Sequence, residues 1–413
     1  MTRINRLVLL TVLICIYSLA YSQTSNNSPY TYFGLGNIET SIGGRTSGMG
    51  GVGIGLNSEG YINQLNPASY RSIDSLFFLF DLNLNGYKSR LESKQSEYNV
   101  VSGNVNKIAI GFRLYPKVAI SVGIMPYSSV GYKINTSKWV EGTTEKFDIL
   151  STGEGGLNKI YFGGSYILNK HSSIGVNASV LFGSITKTEE YTLSAIDNSW
   201  SVSEKFVPKS HLYFDFGYQY SNSINKKYSY KVGLVGGLKT KMRFSKYVEK
   251  SSGSTSEGEE LTDTYNFWIP AYLGLGLSVS SEKLTLASDF TLQKWSNVSD
   301  KNNLDLTDSY KWATGFEYSP DKRFGKNIFQ RMSYQVGFHV DKSYLNINNV
   351  NLYGYGITAG VVVPIKNQLS SICLSFETGQ KGYYSEDLFR ERYYQFNLAI
   401  NMNDIWFMKR KYK

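Results

Sequence analysis

From Leu76 onward this chain repeats one pattern, an apolar residue followed by a polar or small one. Phe78, Phe80, Leu82 and Leu84 alternate with Asp81, Asn83 and Asn85; Ile108, Ile110, Phe112 and Leu114 with Gly111 and Arg113; Val118, Ile120, Val122 and Ile124 with Ser121 and Gly123. The same alternation surrounds Asp215, Asp289, His339, Asn397 and Asn401 further on. A period of two puts successive side chains on opposite faces of a β-strand, so each such strand is apolar on one side and polar on the other. Segments of this kind are expected near 75–87, 104–115, 117–133, 157–168, 172–186, 208–221, 228–243, 265–280, 283–294, 309–318, 329–341, 352–364, 369–379 and 391–403. About fourteen amphipathic strands, an even number, predict an all-β chain in which a transmembrane antiparallel β-barrel faces lipid outside and a polar lumen inside.

The links between strands separate this from a soluble β-sandwich. They alternate long and short: Tyr87 to Asn104 long and Pro116 tight, Tyr132 to Leu157 long and 169–171 tight, Ile185 to Lys209 long. The Ser/Gly/Glu stretch Glu249–Glu260 is expected to be a mobile loop within another long link. Short periplasmic turns and longer outer loops give this alternation in a barrel with both ends in the periplasm, whereas a sandwich has no reason to. Aromatic residues near strand ends (Tyr87, Tyr115, Tyr127, Tyr132, Tyr166, Trp268, Trp295, Trp312, Trp406) are expected to form interfacial girdles.

Composition and the amino terminus agree with export to the outer membrane. The chain has 33 Tyr, 22 Phe and 39 Gly, and its mean hydropathy is negative, unlike a helical membrane protein. Arg3 and Arg6 precede an apolar run from Leu7 to Leu19, closed by Ala20-Tyr21-Ser22. Roughly 13 apolar residues are too few to span a bilayer, so 1–22 reads as a cleavable export signal and Gln23 as the first mature residue. Its loss leaves 41 basic against 33 acidic residues, a net charge of about +8. The basic residues are scattered. They favour outer-membrane phospholipid and lipopolysaccharide as neighbours and give no stripe for nucleic acid. Cys15 lies in the signal and is not a lipid anchor, and Cys373 alone forms neither disulfide nor metal cluster.

Residues 23–73 precede the strands and contain "RTSGMGGVGIGLNSEGYINQLNPASY" from Arg45 to Tyr70. A phosphate-binding loop needs a strand before its glycines, a helix after them and usually a Lys, and none of these is present. A wide barrel has room to be plugged, so this stretch is expected to be a hatch inside the lumen of a barrel formed by 74–413. The stretch resembles the amino-terminal hatch of the FadL-type long-chain fatty acid transporters. The resemblance rests on R-x-x-G-M-G-G-x-G, with Gly48, Met49, Gly50 and Gly51, and on Asn66-Pro67-Ala68; the stretch looks especially like Bacteroidetes relatives that include PorV-like barrels of a secretion system. It implies a fourteen-stranded barrel closed by the hatch, passive diffusion of a hydrophobic molecule past a moving hatch, and a kink in the third strand that opens the wall toward the membrane. The third strand carries Pro126, which cannot donate a ladder hydrogen bond, with Tyr127 and Gly131 beyond it. Either a lateral opening at Pro126–Gly131 or a simple bulge fits these residues.

The inward positions, Asp81, Arg113, Asp215, Asp289, Glu317, His339, Asp341 and Glu377, make the lumen polar, and such groups are expected to hold the hatch. No catalysis is expected. His171, His211 and His339 have no nucleophile in a recognisable motif beside them, the His339–Asp341 pair is read as part of the polar wall, and no His spacing suggests a metal; no cofactor is implied. Two functions therefore stand: passive uptake of a hydrophobic small molecule through hatch and lateral opening, or service as a barrel subunit bound to a large partner in an outer-membrane secretion or assembly complex.

Overall fold

The computed structural model describes residues 28–39, 44–57, 59–93, 97–139, 142, 145–193, 198–209, 211–253, 255–299, 305–321, 326–365, 370–384 and 388–405. The expected export signal and Trp406 lie outside them. Among the described residues, fourteen antiparallel strands close into one barrel. The continuous ones are β2 (Phe77–Glu92), β3 (Glu97–Tyr115), β6 (Lys146–Ile167), β7 (Ser172–Leu193), β15 (Leu284–Gln293), β16 (Ser309–Tyr318), β17 (Ser333–Ile347), β18 (Val350–Ile365), β19 (Ser370–Lys381) and β20 (Arg390–Ile405). The others are each two collinear segments: β4 (Val118–Ser129) with β5 (Tyr132–Trp139), β8 (Asn198–Pro208) with β9 (Leu212–Ser223), β10 (Ser229–Gly237) with β11 (Thr240–Ser252), and β13 (Glu260–Ile269) with β14 (Tyr272–Ser280). Closure comes from β2 against β20, paired from Phe77↔Ile405 to Glu92↔Arg390. Short β1 (Asn37–Ile38) and β12 (Thr255–Ser256) complete the set.

The alternation sorts faces as expected. On β14, Leu273, Leu275, Leu277 and Val279 face outward and are exposed, while Gly274, Gly276 and Ser278 line the lumen. Position along a strand does not decide the face, however. Tyr115, Tyr166 and Trp312 are outward and exposed, but Tyr87, Tyr132 and Trp295 are buried inside and Tyr127 packs against an inner cluster. Tyr87 shares the parity of Asp81, Asn83 and Asn85, and parity overrides its place at the strand end.

Strands run further outward than the alternation reaches. β6 and β7 are each 22 residues long, whereas β14 and β15 have 9 and 10. A membrane-crossing strand needs about 9–11 residues, so the outer halves of β6 and β7 rise above the bilayer with β5, β8, β11 and β13 as a raised wall on one side. Neither face there meets lipid, which weakens the apolar–polar alternation without removing the ladder. For the same reason Glu249–Glu260, expected as a loop, is largely a hairpin: β11 turns into β12 with Ser251 opposite Ser256. Three adjacent strands break where this raised wall begins. Pro208 and Pro270 offer no N–H at two of the breaks, and the third is at Leu238-Lys239.

Leu275→Arg, in the middle of the lipid face of β14, should destabilise the folded barrel by about 2–4 kcal/mol. Thr262→Arg, on the raised part of β13, should leave it nearly unchanged. Urea titration of the protein refolded into vesicles measures both.

Candidate functional site: the sealed lumen

Residues 44–57 and 59–73 fill the inner lumen, and their backbone is seated on glycines of the wall. A Cβ on Gly337 would lie 2.1 Å from the Gly50 nitrogen, one on Gly315 2.3 Å from the Met49 oxygen, and one on Gly276 2.4 Å from the Gly55 nitrogen. On Gly233 it would meet the Ile54 oxygen at 1.9 Å, and on Gly175 the Pro67 carbonyl carbon at 2.3 Å. Backbone lies directly on backbone, which only Gly allows. Gly50 and Gly51 also hold φ of +72° and +79°, a turn that other residues resist. Asn66-Pro67-Ala68 opens the short helix Pro67–Ser72: Asn66 Oδ1 accepts from the Ala68 N–H at 3.0 Å, and Pro67 occupies the first position, where no N–H is needed. The Asn66 amide also donates to the Ile54 carbonyl at 2.8 Å and to the Tyr218 carbonyl at 3.2 Å.

Polar wall residues fasten the hatch around this seat. Asp289 Oδ2 accepts from the backbone N–H groups of Gly53 and Ile54 at 2.6 and 2.8 Å. Asp81 accepts from the Ile62 N–H at 2.7 Å and pairs at 3.0 Å with Lys107, which donates to the Ile62 carbonyl at 2.8 Å. Glu317 takes the Arg45 guanidinium at 2.7 and 2.9 Å, and Gln335 donates to both Glu317 and the Arg45 carbonyl. Burial opposes the Arg45 charge, but Glu317, with Cys373 and Tyr61 beside it, outweighs that and the guanidinium pKa is raised. Thr358 bridges the Gly50 N–H and the Gly48 carbonyl, and Ser375 Oγ meets Ser47 Oγ at 2.7 Å. Arg113, at the periplasmic rim, donates to the carbonyls of Ile73 and Arg71. Removing one partner of a buried pair costs about 3–5 kcal/mol, so these ties are mutually reinforcing.

A second segment, 28–39, crosses the outer lumen separately from the hatch. Ser28 donates to Glu391 at 3.0 Å, Thr31 bonds the Gly131 carbonyl and N–H at 2.9 and 3.1 Å, and Tyr344 donates to the Gly36 carbonyl at 2.6 Å. Leu35 packs there with Val130, Tyr132, Trp295 and Tyr344. Nothing in this segment alternates, so the sequence did not separate it from the hatch.

Beside it the wall is incomplete. The β3–β4 ladder ends at Ile108↔Ile124, short of Pro126, and the register toward β6 shifts between Pro126 and Ser128. Beyond this point β3 is paired with β2 alone, and the free edge of β4 is taken by β1, with Asn37 opposite Ser129, and by the Glu39 N–H donating to the Tyr127 carbonyl at 3.0 Å. Pro126, Tyr127 and Gly131 thus all border the break.

Between hatch and outer segment lies a cavity of about 380 Å³ whose lining includes Asn106 and Pro126 at the break. Its walls are ionisable. His339 contacts Glu377 at 3.0 Å and Asp341 at 3.4 Å, Tyr393 donates to Glu377 at 2.8 Å, and Asp215 is met by Tyr272 at 2.8 Å and Lys159 at 3.5 Å. Asp215, His339 and Asp341 therefore line the cavity, while Asp81 and Arg113 hold the hatch. The cations Lys107, Lys159, Lys311 and Lys381 were missed in reading the sequence, although Lys107 and Lys311 precede the outward Ile108 and Trp312 and parity places them inward. Among the described residues no cluster could hold a metal ion.

A family model described as BamG matches residues 3–413. The chain belongs to the BamG family. Several solved barrels share its fold at low identity. The CymD monoaromatic hydrocarbon channel is 16% identical, with a TM-score of 0.55 over 91% of this chain and 99% of that one. A Pseudomonas aeruginosa FadL homologue is 11% identical, with 0.57 over 88% and 98%. The Pseudomonas putida toluene transporter TodX is 14% identical, with 0.58 over 90% and 98%. No curated protein matches the chain. This BamG-family barrel therefore has the FadL-type fold.

In this BamG-family chain, Gly337→Val should unseat the hatch while the barrel still folds, and Asp289→Ala should loosen it by leaving two N–H groups unbonded, at about 1–3 kcal/mol each. Raised conductance in planar bilayers and new proteolytic cleavage within 44–73, with heat-modifiable gel mobility retained, are the expected readouts.

Proposed function

We propose that this barrel works with its lumen shut, as an accessory subunit of a larger outer-membrane secretion or assembly complex, presenting its outer surface and raised wall to a protein partner. The observation that carries this reading is the seat of the hatch backbone on wall glycines, fastened by the buried Arg45–Glu317 ion pair and by the hydrogen bonds that the wall pair Asp81–Lys107 makes to the Ile62 backbone. Opening it would separate Glu317 from Arg45 and take from the buried Asp81, Lys107 and Asp289 the backbone hydrogen bonds that the hatch supplies. The ionisable cavity adds support, since an apolar solute there would displace water from charged groups and offer them nothing in return. Residues 1–22 act in this proposal as export signal, 23–73 as plug and 74–413 as barrel. Purification of the tagged protein from native outer membranes in mild detergent, with mass spectrometry of proteins and lipids, is the test. A stoichiometric large partner is expected; a lone barrel carrying apolar ligands would overturn the assignment.

One observation favours a second reading, uptake of a hydrophobic small molecule of the kind that the names of CymD and TodX describe for those proteins. The wall break beyond Ile108 and Ile124 adjoins the cavity, so a molecule could enter from the bilayer past Pro126, Tyr127 and Gly131, with Gly48–Gly51 and Asn66–Ala68 as the inner barrier. In that case Pro126→Ala, which lets the β3–β4 ladder extend, should slow uptake of a labelled fatty acid or toluene by intact cells. Unchanged uptake relative to wild type would exclude this route.

A further inference from the structure

One patch on the outside of the wall departs from the rest. On β11, Lys241 and Arg243 point outward between the buried Met242 and Phe244. Lys209 stands across from Arg243, its N–H donating to the Arg243 carbonyl at 2.7 Å. Trp268 is the cross-strand neighbour of Lys241, and the ammonium groups of Lys239 and Lys241 lie 5.2 and 5.8 Å from its ring. Immediately on the membrane side of this row are Leu212, Leu238 and Leu273, which are 59%, 61% and 63% exposed. A row of cations directly above an apolar shelf, with a Trp at the boundary, marks the outer membrane–water interface.

Several cations elsewhere on the outer rim are neutralised. Arg90 pairs with Glu97 at 2.6 Å, Lys294 with Asp308 at 2.8 Å, Lys205 with Glu259 at 2.8 Å and Lys246 with Glu204 at 2.7 Å. Among the described residues, no ion pair involves Lys209, Lys241 or Arg243. Three unneutralised cations at lipid-headgroup height call for an anion from outside the protein. We propose that this patch holds the phosphate groups of an outer-leaflet phosphorylated glycolipid of the lipopolysaccharide type, with its acyl chains lying on Leu212, Leu238 and Leu273. The guanidinium of Arg243 suits bidentate contact with a phosphate, and the lysines add point charges to either side. The site stands or falls separately from the role of the lumen.

The full mature protein in detergent micelles is titrated with bis-phosphorylated lipid A, with the same lipid after enzymatic removal of its phosphates, and with inorganic phosphate, and binding is followed by native mass spectrometry. The wild-type protein should retain the bis-phosphorylated lipid, and loss of its phosphates should weaken binding. The triple variant Lys209→Gln/Lys241→Gln/Arg243→Gln should bind on the order of a hundredfold more weakly, at about fivefold per cation near the surface. The triple variant Lys117→Gln/Lys170→Gln/Lys226→Gln, at the periplasmic turns, should bind as wild type, and heat-modifiable mobility checks that both variants fold. Equal binding by the first triple variant, indifference to the phosphates, or equally good competition by inorganic phosphate would each overturn the proposal. So would a photo-crosslinker at position 241 that captures a protein in cells in place of the glycolipid.

Discussion

The direct contact of hatch backbone with wall backbone governs the rest of this molecule. A barrel of fourteen strands encloses more space than inward side chains fill, and here the space is taken by thirty residues of chain pressed onto bare glycine positions. Gly175, Gly233, Gly276, Gly315 and Gly337 come from different strands around the circumference, so the hatch is registered against the wall in several directions. That closeness is what brings Asp289 within reach of the Gly53 and Ile54 N–H groups and Arg45 within reach of Glu317. The seat sets the hydrogen bonds, and the hydrogen bonds hold the seat.

The lumen above the hatch has a different character from an apolar conduit. Carboxylates, lysines and tyrosine hydroxyls are paired across the cavity, as in the His339–Glu377–Tyr393 group and the Asp215–Tyr272 contact. The outer segment 28–39 then covers the cavity and supplies the strand edge that β4 lacks past Pro126. Shared fold with hydrocarbon channels describes the course of the chain; the chemistry of the interior belongs to this chain's own residues.

Much of this was legible in the sequence because lipid on one side and a polar interior on the other impose strict parity. That parity located the fourteen strands and turned Asp81, Asp289, Glu317, His339 and Glu377 inward. It was silent where its cause is absent. Above the membrane no face of β6, β7 and β11 meets lipid, so those hairpins carried too weak an apolar–polar alternation and read as loops. Parity was also underused: Tyr87 and Lys107 follow it inward, but Tyr87 was assigned by its place at a strand end and Lys107 was passed over. The breadth of the glycine seat could not be read at all, since which wall glycine meets which hatch glycine depends on the register of strands far apart in the chain.

The central claim is that the hatch is a fixed strut, and pinning it tests this most directly. Ser47 and Ser375 hold their hydroxyl oxygens 2.7 Å apart across the hatch–wall contact, so Ser47→Cys/Ser375→Cys in a Cys373→Ala background places two thiols where a disulfide can tie the hatch to β19. Cells relying on the oxidised, covalently pinned protein should match those with the unpinned parent in outer-membrane integrity and growth. Loss of function on oxidation, restored by reduction, would show that the hatch must move and would contradict the account.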